Sequence, residues 1–161
     1  MIEFRSFPQC VEAKMVELYT GDLEIEKICS KWYKWSLDKN FGAMVSFIGT
    51  VREENGIEGL SFDVYEPILQ EWFGVWQQRA KERGAVIKMA HSIGNVAVHS
   101  SSFIAAVFSP KRRVALELID EFVEDFKANA PIWKYDLKNG ERIYARDRSQ
   151  KISGSGILNS L

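Results

Sequence analysis

The chain has 161 residues, 46% hydrophobic and 27% charged, with a formal net charge of −1. That length suits one domain, with a core that hides roughly 70% of the unfolded surface. Near-neutrality argues against a broad nucleic-acid or anionic-membrane surface, so any anion site has to be local.

No apolar run approaches the ~20 residues of a membrane span, and the amino terminus lacks the basic and apolar regions of a secretion signal. Cys10 and Cys29 form no CxxC, and no His stands at ligand spacing from them. A disulfide framework and a zinc site are therefore not expected, and no cofactor or metal is predicted. Reduced cysteines in a cytoplasmic protein are the simple reading.

In chain order, Ile2 and Phe4 mark a short strand within Met1–Cys10, and Met15–Tyr19 reads as another strand. Thr20-Gly21-Asp22 is a turn, with Asp22 as candidate N-cap of a helix over Leu23–Trp35. Trp32, Tyr33 and Trp35 read as packing residues, because no strand-borne aromatic pair accompanies them as in a base-stacking platform. Ala43–Val51 is a near-continuous apolar strand, and Gly49 inside it signals a bulge or a close backbone approach. Arg52 follows at the strand's end, a common place for anion binding. A surface salt bridge to Glu53 or Glu54 is an equally open reading. Leu60–Tyr65 alternates as a half-buried strand. Pro67 opens a helix to about Arg83, with Gly84 as its C-cap.

Ala85–Ile93 reads as a strand ending near a turn at Asn95, which places His91 and His99 at strand ends. Ser101–Phe108 is a buried strand feeding into Ser109-Pro110-Lys111-Arg112-Arg113. Ser109 is expected as N-cap and Pro110 as first helical residue of a helix to about Asn129. Its apolar stripe is Val114, Leu118, Ile119, Phe122, Val123 and Phe126. Pro131 disfavours helix at Ala130 and so ends it. Three cations in the first turn oppose the helix dipole. Together with free N–H groups they make an anion site, for phosphate or carboxylate. Ile132–Leu137, Asn139-Gly140 and Glu141–Ala145 form a hairpin, closed by Arg146-Asp147-Arg148. Residues 1–148 are expected to be a single domain and 149–161 a flexible tail. Hairpins with interspersed helices indicate an α+β protein with mostly antiparallel pairing.

Four segments together are specific: Phe47-Ile48-Gly49-Thr50-Val51-Arg52, His91-Ser92-Ile93-Gly94, Ser109-Pro110-Lys111-Arg112, and Phe126-Lys127-Ala128-Asn129-Ala130-Pro131-Ile132-Trp133-Lys134. Through them the chain, from about Met15 to Arg146, resembles the large, catalytic subunit of molybdopterin synthase. The resemblance implies an α/β-hammerhead fold with an additional antiparallel sheet. It implies a homodimer within a heterotetramer, with a small ubiquitin-like sulfur carrier ending in Gly-Gly at each end. The implied reaction moves sulfur from that carrier's C-terminal thiocarboxylate to cyclic pyranopterin monophosphate, making the molybdopterin dithiolene. By resemblance Lys127 and Lys134 are catalytic, while Arg52, Lys111, Arg112 and Arg146 bind the anionic substrate.

The chain departs from the family pattern at Lys111, where His is usual; Lys keeps the charge but cannot shuttle protons near neutral pH as His does. Ser92 stands where Arg is usual, and His99-Ser100 where Gly-Glu is usual. The absence of a nucleophilic Cys or Ser with a base fits an enzyme whose reactive sulfur arrives on a partner. Thiocarboxylate, phosphate and developing thiolate are all anionic, so Lys and Arg are what such a site requires. The competing reading is a non-catalytic module gripping a phosphorylated ligand or an acidic partner tail. Spacing adds one constraint. Arg112 and Lys127 are fifteen positions apart on one helix, ~22 Å at 1.5 Å per residue. One helix can hardly present both to a single small ligand, so a shared pocket would need two chains.

Overall fold

The structure is a computed structural model that describes residues 15–145. The expected amino-terminal strand, Cys10, Arg146 and the expected tail lie outside the described residues. Its elements are β1 (Glu17–Thr20), α1 (Ile25–Ser36), β2 (Ala43–Thr50), β3 (Gly59–Val64), α2 (Glu66–Glu82), β4 (Val86–Ala97), β5 (Ser101–Ser109), α3 (Arg112–Asn129), β6 (Ile132–Lys138) and β7 (Glu141–Tyr144). This is the expected α+β architecture.

The strands join in the order β2-β5-β4-β3-β6-β7, with β1 added beside β4. All pairings are antiparallel except β1 with β4. β4 links two sheets. Its residues Val86–His91 pair with β5, Ala90–Ile93 with β1, and Gly94–Ala97 with β3. The strand therefore runs past Asn95, and the turn falls at Val98-His99-Ser100, with His99 at φ 70°. His91 consequently lies within the strand, not at its end. Partners along the whole length keep β4 extended, which outweighs the local turn preference of Gly94-Asn95.

β5 is buried on both faces, which explains its unbroken apolar run. Ala105 and Val107 face the cluster formed with Phe73 and Trp76 of α2 and Phe122 of α3. Ile104, Ala106 and Phe108 face Ile28 and Trp32 of α1. Of the three α1 aromatics, Trp32 is 1% exposed, whereas Tyr33 is 54% exposed and contributes nothing to this core. The α1 cap also differs from expectation. Glu24 occupies the N-cap without a side-chain bond, and Asp22 Oδ1 instead accepts from Ala97 N–H at 3.2 Å.

α3 starts two residues later than expected. Ser109 is the last residue of β5: its carbonyl accepts from Gly42 N–H at 3.1 Å, and its hydroxyl donates to the Lys111 carbonyl at 2.6 Å. Committed to the sheet on one side and to Lys111 on the other, Ser109 cannot cap. Lys111 becomes the N-cap in an extended conformation, with no side-chain cap bond, as its ammonium can only donate. The stripe and the stop are as expected. Leu118, Ile119, Phe122 and Val123 are buried, and Ala130 turns to ψ 134° before Pro131. At this end Asp125 ties α3 to α2: its Oδ2 accepts from Trp72 and Trp76 Nε1 at 3.1 and 2.6 Å.

Asn139 and Gly140, with φ of 53° and 74°, join β6 to β7 across the pair Lys138 and Glu141. Both central residues at positive φ make a type I′ turn, which the Asn-Gly pair favours.

Candidate active site

A cavity of about 620 Å³ opens between the end of β2, the loop after it, and the carboxyl end of α3. Its wall is aromatic. Phe47 comes from β2, Phe62 from β3, Phe103 from β5 and Phe126 from α3. Phe103 and Phe126 stack with centroids 4.1 Å apart and planes 2° from parallel. Phe47 packs against Phe103 at 5.9 Å. The strand register brings them together. Gly49 pairs with Phe103, and the register shifts between Gly49 and Thr50. A Cβ on Gly49 would stand 3.3 Å from Phe103 Cβ, so the expected bulge and close approach both occur there.

Three cations line this cavity: Arg52, Lys127 and Lys134. Arg52 leaves β2 at its end and is exposed. Lys127 is exposed in the last turn of α3, with Nζ 5.9 Å from the Phe47 ring centroid, inside cation–π range. Lys134 is half-buried on β6, opposite Phe62 of β3. Three elements distant in sequence thus deliver positive charge to one apolar-walled space. A low-dielectric wall strengthens each charge's action on a bound anion.

Lys111 and Arg112 are not among the residues lining this cavity. They are exposed at the opposite end of α3, whose first turn contains no acidic residue. The single chain brings Arg52, Lys127 and Lys134 together and leaves Lys111 and Arg112 apart. Arg146 lies outside the described residues. Among those residues, no group of three His, Cys, Asp or Glu side chains is arranged to hold a metal.

His91 also lines the cavity, although the sequence marked it only as a strand-end residue within the His91-Ser92-Ile93-Gly94 segment. It is 2% exposed and packed edge-on to Phe62 at 4.9 Å, with Phe103 and Phe126 at 5.9 and 5.8 Å. Its Nδ1 lies 2.7 Å from the Ser92 carbonyl. A carbonyl can only accept, so Nδ1 carries the proton, and in the neutral ring Nε2 is bare. Burial pushes the imidazole pKa down to about 4, against a smaller upward pull from that hydrogen bond. The signal in the sequence was parity. His91 shares a strand face with Ile87 and Met89, both buried in the α2–α3 core.

The lowered pKa has a consequence for stability. The unfolded ring binds a proton near pH 6.5 and the folded ring only near pH 4. The unfolded state therefore holds more protons in between, so stability is full above pH 6.5 and falls as pH drops toward 4. The depression corresponds to about 3 kcal/mol at most. Thermal unfolding of wild type and His91→Gln between pH 7 and 5 should show a steeper acid loss for the wild type. Parallel curves would remove His91 from the account.

The comparisons with known proteins bear on this geometry. Residues 18–129 match the family model described as MoaE protein. The chain is 47% identical over 144 residues to the molybdopterin synthase catalytic subunit of Helicobacter pylori strain ATCC 700392 / 26695, covering 89% of this chain and 99% of that one. It is 34% identical over 132 residues to the protein of the same description from Bacillus subtilis strain 168, covering 78% and 82%. Among solved structures it superposes on a chain of the protein–protein complex of subunits 1 and 2 of molybdopterin-converting factor from Helicobacter pylori 26695. There the TM-score is 0.84 at 47% identity, over 89% of this chain and 98% of that one. The molybdopterin synthase of Staphylococcus aureus, at 24% identity and TM-score 0.69 over 80% and 95%, shares the fold. Matched by the family model over most of its length and aligned with nearly the whole of its Helicobacter relative, the chain belongs to the MoaE family of molybdopterin synthase catalytic subunits.

Proposed function

We propose that this chain is the catalytic subunit of a molybdopterin synthase, which moves sulfur from the thiocarboxylated C-terminus of a small ubiquitin-like partner onto cyclic pyranopterin monophosphate. The observation that carries the reading is the aromatic-walled cavity ringed by Arg52, Lys127 and Lys134. Its volume falls within the range of small-molecule sites, roughly 300–1,000 Å³. Flat apolar walls suit a fused heterocycle. The cations suit a phosphate, an incoming thiocarboxylate and the thiolate that develops as sulfur is transferred. No side chain of this chain needs to be the nucleophile, since the sulfur comes on the partner.

In this reading Lys127 and Lys134 act on the reacting anions and Arg52 holds the substrate. By resemblance Arg146 is a further substrate-binding residue, and it lies outside the described residues. Lys111 and Arg112 serve the corresponding pocket of a second copy across a two-fold axis, within a homodimer that carries one small subunit at each end. No described helix is long and apolar enough to cross a membrane, and we place the reaction in the cytoplasm.

The two arginines at the start of α3 should behave differently. Taking ~100° per residue, Arg112 lies ~50° and Arg113 ~150° from the centre of the buried stripe. Arg112→Ala is expected to raise the apparent KM, and Arg113→Ala to be nearly silent. Equal effects would mean a diffuse positive surface without a defined site.

The reaction itself is tested by incubating the protein with thiocarboxylated small subunit and the cyclic pterin, followed by mass spectrometry. A product two sulfurs richer supports the proposal. Tight binding of the phosphorylated ligand without turnover would instead mark a non-catalytic module.

A further inference from the structure

The carboxyl end of α3 brings Phe126 and Lys127 to the cavity, and Asp125 is the residue just before them. It stands at helical spacing from Leu118 and Phe122, where the apolar stripe would continue, so an acid here breaks the pattern of an amphipathic helix.

Three donors answer its carboxylate. Oδ2 accepts from the indole Nε1 of Trp72 at 3.1 Å and of Trp76 at 2.6 Å. Oδ1 accepts from Asn129 Nδ2 at 2.6 Å. Trp72 and Trp76 are four positions apart on α2 and so share a helix face, and Trp76 is buried. An indole N–H can only donate, and both indoles find their acceptor in this one oxygen.

The carboxylate therefore pins α3 to α2 one residue before the cavity wall begins. Aromatic rings carry the constraint onward. The Trp72 ring lies 6.2 Å from that of Phe126, and Phe126 stacks on Phe103. Lys127, the next residue, reaches over the Phe47 ring. Positions 125 and 127 are ~200° apart around the helix, at ~100° per residue. The turn is gripped from one side and presents its ammonium on the other.

We propose that Asp125 is a positioning residue for sulfur transfer: by holding the indole N–H groups of Trp72 and Trp76 it fixes the last turn of α3, and with it the place of Lys127 in the cavity. The inference rests on the catalytic role proposed above for Lys127. Hydrogen bonds to a carboxylate are stronger than those between neutral groups. They also have direction, which apolar contact lacks, so they fix the rotation of the turn as well as its depth.

Single-turnover assays with thiocarboxylated small subunit and the cyclic pterin, both saturating, test this in paired variants. Asp125→Ala is expected to slow product formation about tenfold, within the hundredfold that a misplacement of ~1 Å can cost. In the Lys127→Ala background the same substitution should change the residual rate by less than about twofold, because a residue that acts through Lys127 has nothing left to position. Asp125→Asn keeps an oxygen with two lone pairs for the two indoles and should stay within about twofold of wild type. If Asp125→Ala does not fold, Trp72→Phe takes its place in the cycle: it keeps a ring, loses the donor, and should slow the reaction about threefold only while Lys127 is present. Equal slowing in both backgrounds would mean that Asp125 only supports the fold, and overturns the inference. A normal rate for Asp125→Ala overturns it too, as does an Asp125→Asn protein as slow as Asp125→Ala. None of these results touches the role of Lys127. A normal rate for Lys127→Ala removes that role and the inference with it.

Discussion

Lys127→Ala is expected to abolish formation of the two-sulfur product while leaving the protein folded. The structural cost is small because Lys127 is exposed. It touches the Phe47 ring at cation–π distance, an interaction of about 0.5–1 kcal/mol at an exposed site. It also sits in the last turn of α3, where a cation on the dipole's negative end gives about 0.3–1 kcal/mol. The sum is below about 2 kcal/mol, only a few degrees in Tm for a chain of this size. The chemical cost is larger. Removing one preorganised charge from a site where negative charge develops typically lowers kcat by about 10²–10³-fold. Calorimetry and a single-turnover product assay on the same preparation separate the two. Near-normal turnover in Lys127→Ala would withdraw the residue from catalysis, and a collapse of Tm would mean that its role is structural.

The second large effect is a recovery of activity. Lys127→Ala and Arg112→Ala should each be inactive alone at low substrate, yet a mixture whose subunits exchange should regain about a quarter of wild-type activity. Within one chain Lys127 lines the cavity and Arg112 does not, with ~22 Å of helix between them. If both serve one ligand, the second comes from a two-fold-related copy, and every such contact occurs twice. In a mixed dimer one pocket then receives both lesions and the other neither. Random reassortment makes half the dimers mixed, hence one active pocket in four. Two affinity tags would report exchange. Complete exchange with activity fixed at the level of the single mutants would exclude the shared pocket.

The core was readable from sequence where periodicity and burial agree. The α3 stripe from Leu118 to Val123, the Asn139-Gly140 hairpin and the doubly buried β5 each follow from a local pattern that the fold leaves undisturbed. The misreadings share a cause: a backbone group was committed to a distant partner. Ser109 looks like an N-cap but gives its carbonyl to Gly42. Asp22 looks like a cap but accepts from Ala97. Asn95 looks like a turn but pairs with Ser61 of β3. For the site, Arg52, Lys127 and Lys134 could be named from their motifs, yet no local rule says that three separate elements converge. His91 passed as a bystander because its signal is relative. It shares a strand face with residues whose position only the assembled sheet reveals.

The pairing of β2 has a consequence for how the protein is made. Among the described residues β2 lies at an end of the strand order and pairs only with β5, matching Ala43 to Ser109 and Thr50 to Ser101. Translation therefore releases β2 some fifty residues before its partner, a wait of about 2.5–10 s at ~5–20 residues per second. During that interval Ala-Met-Val-Ser-Phe-Ile-Gly-Thr emerges uncharged, free of proline and rich in strand-forming residues, the composition that self-associates when unpaired. Charges stand at both borders, Asp38-Lys39 before it and Arg52-Glu53-Glu54 after it, as gatekeepers do around an unavoidable apolar strand. Arg52, Glu53 and Glu54 thus guard the nascent strand before any cavity has formed beside it, and neutral replacements there are expected to lower the yield of newly made protein.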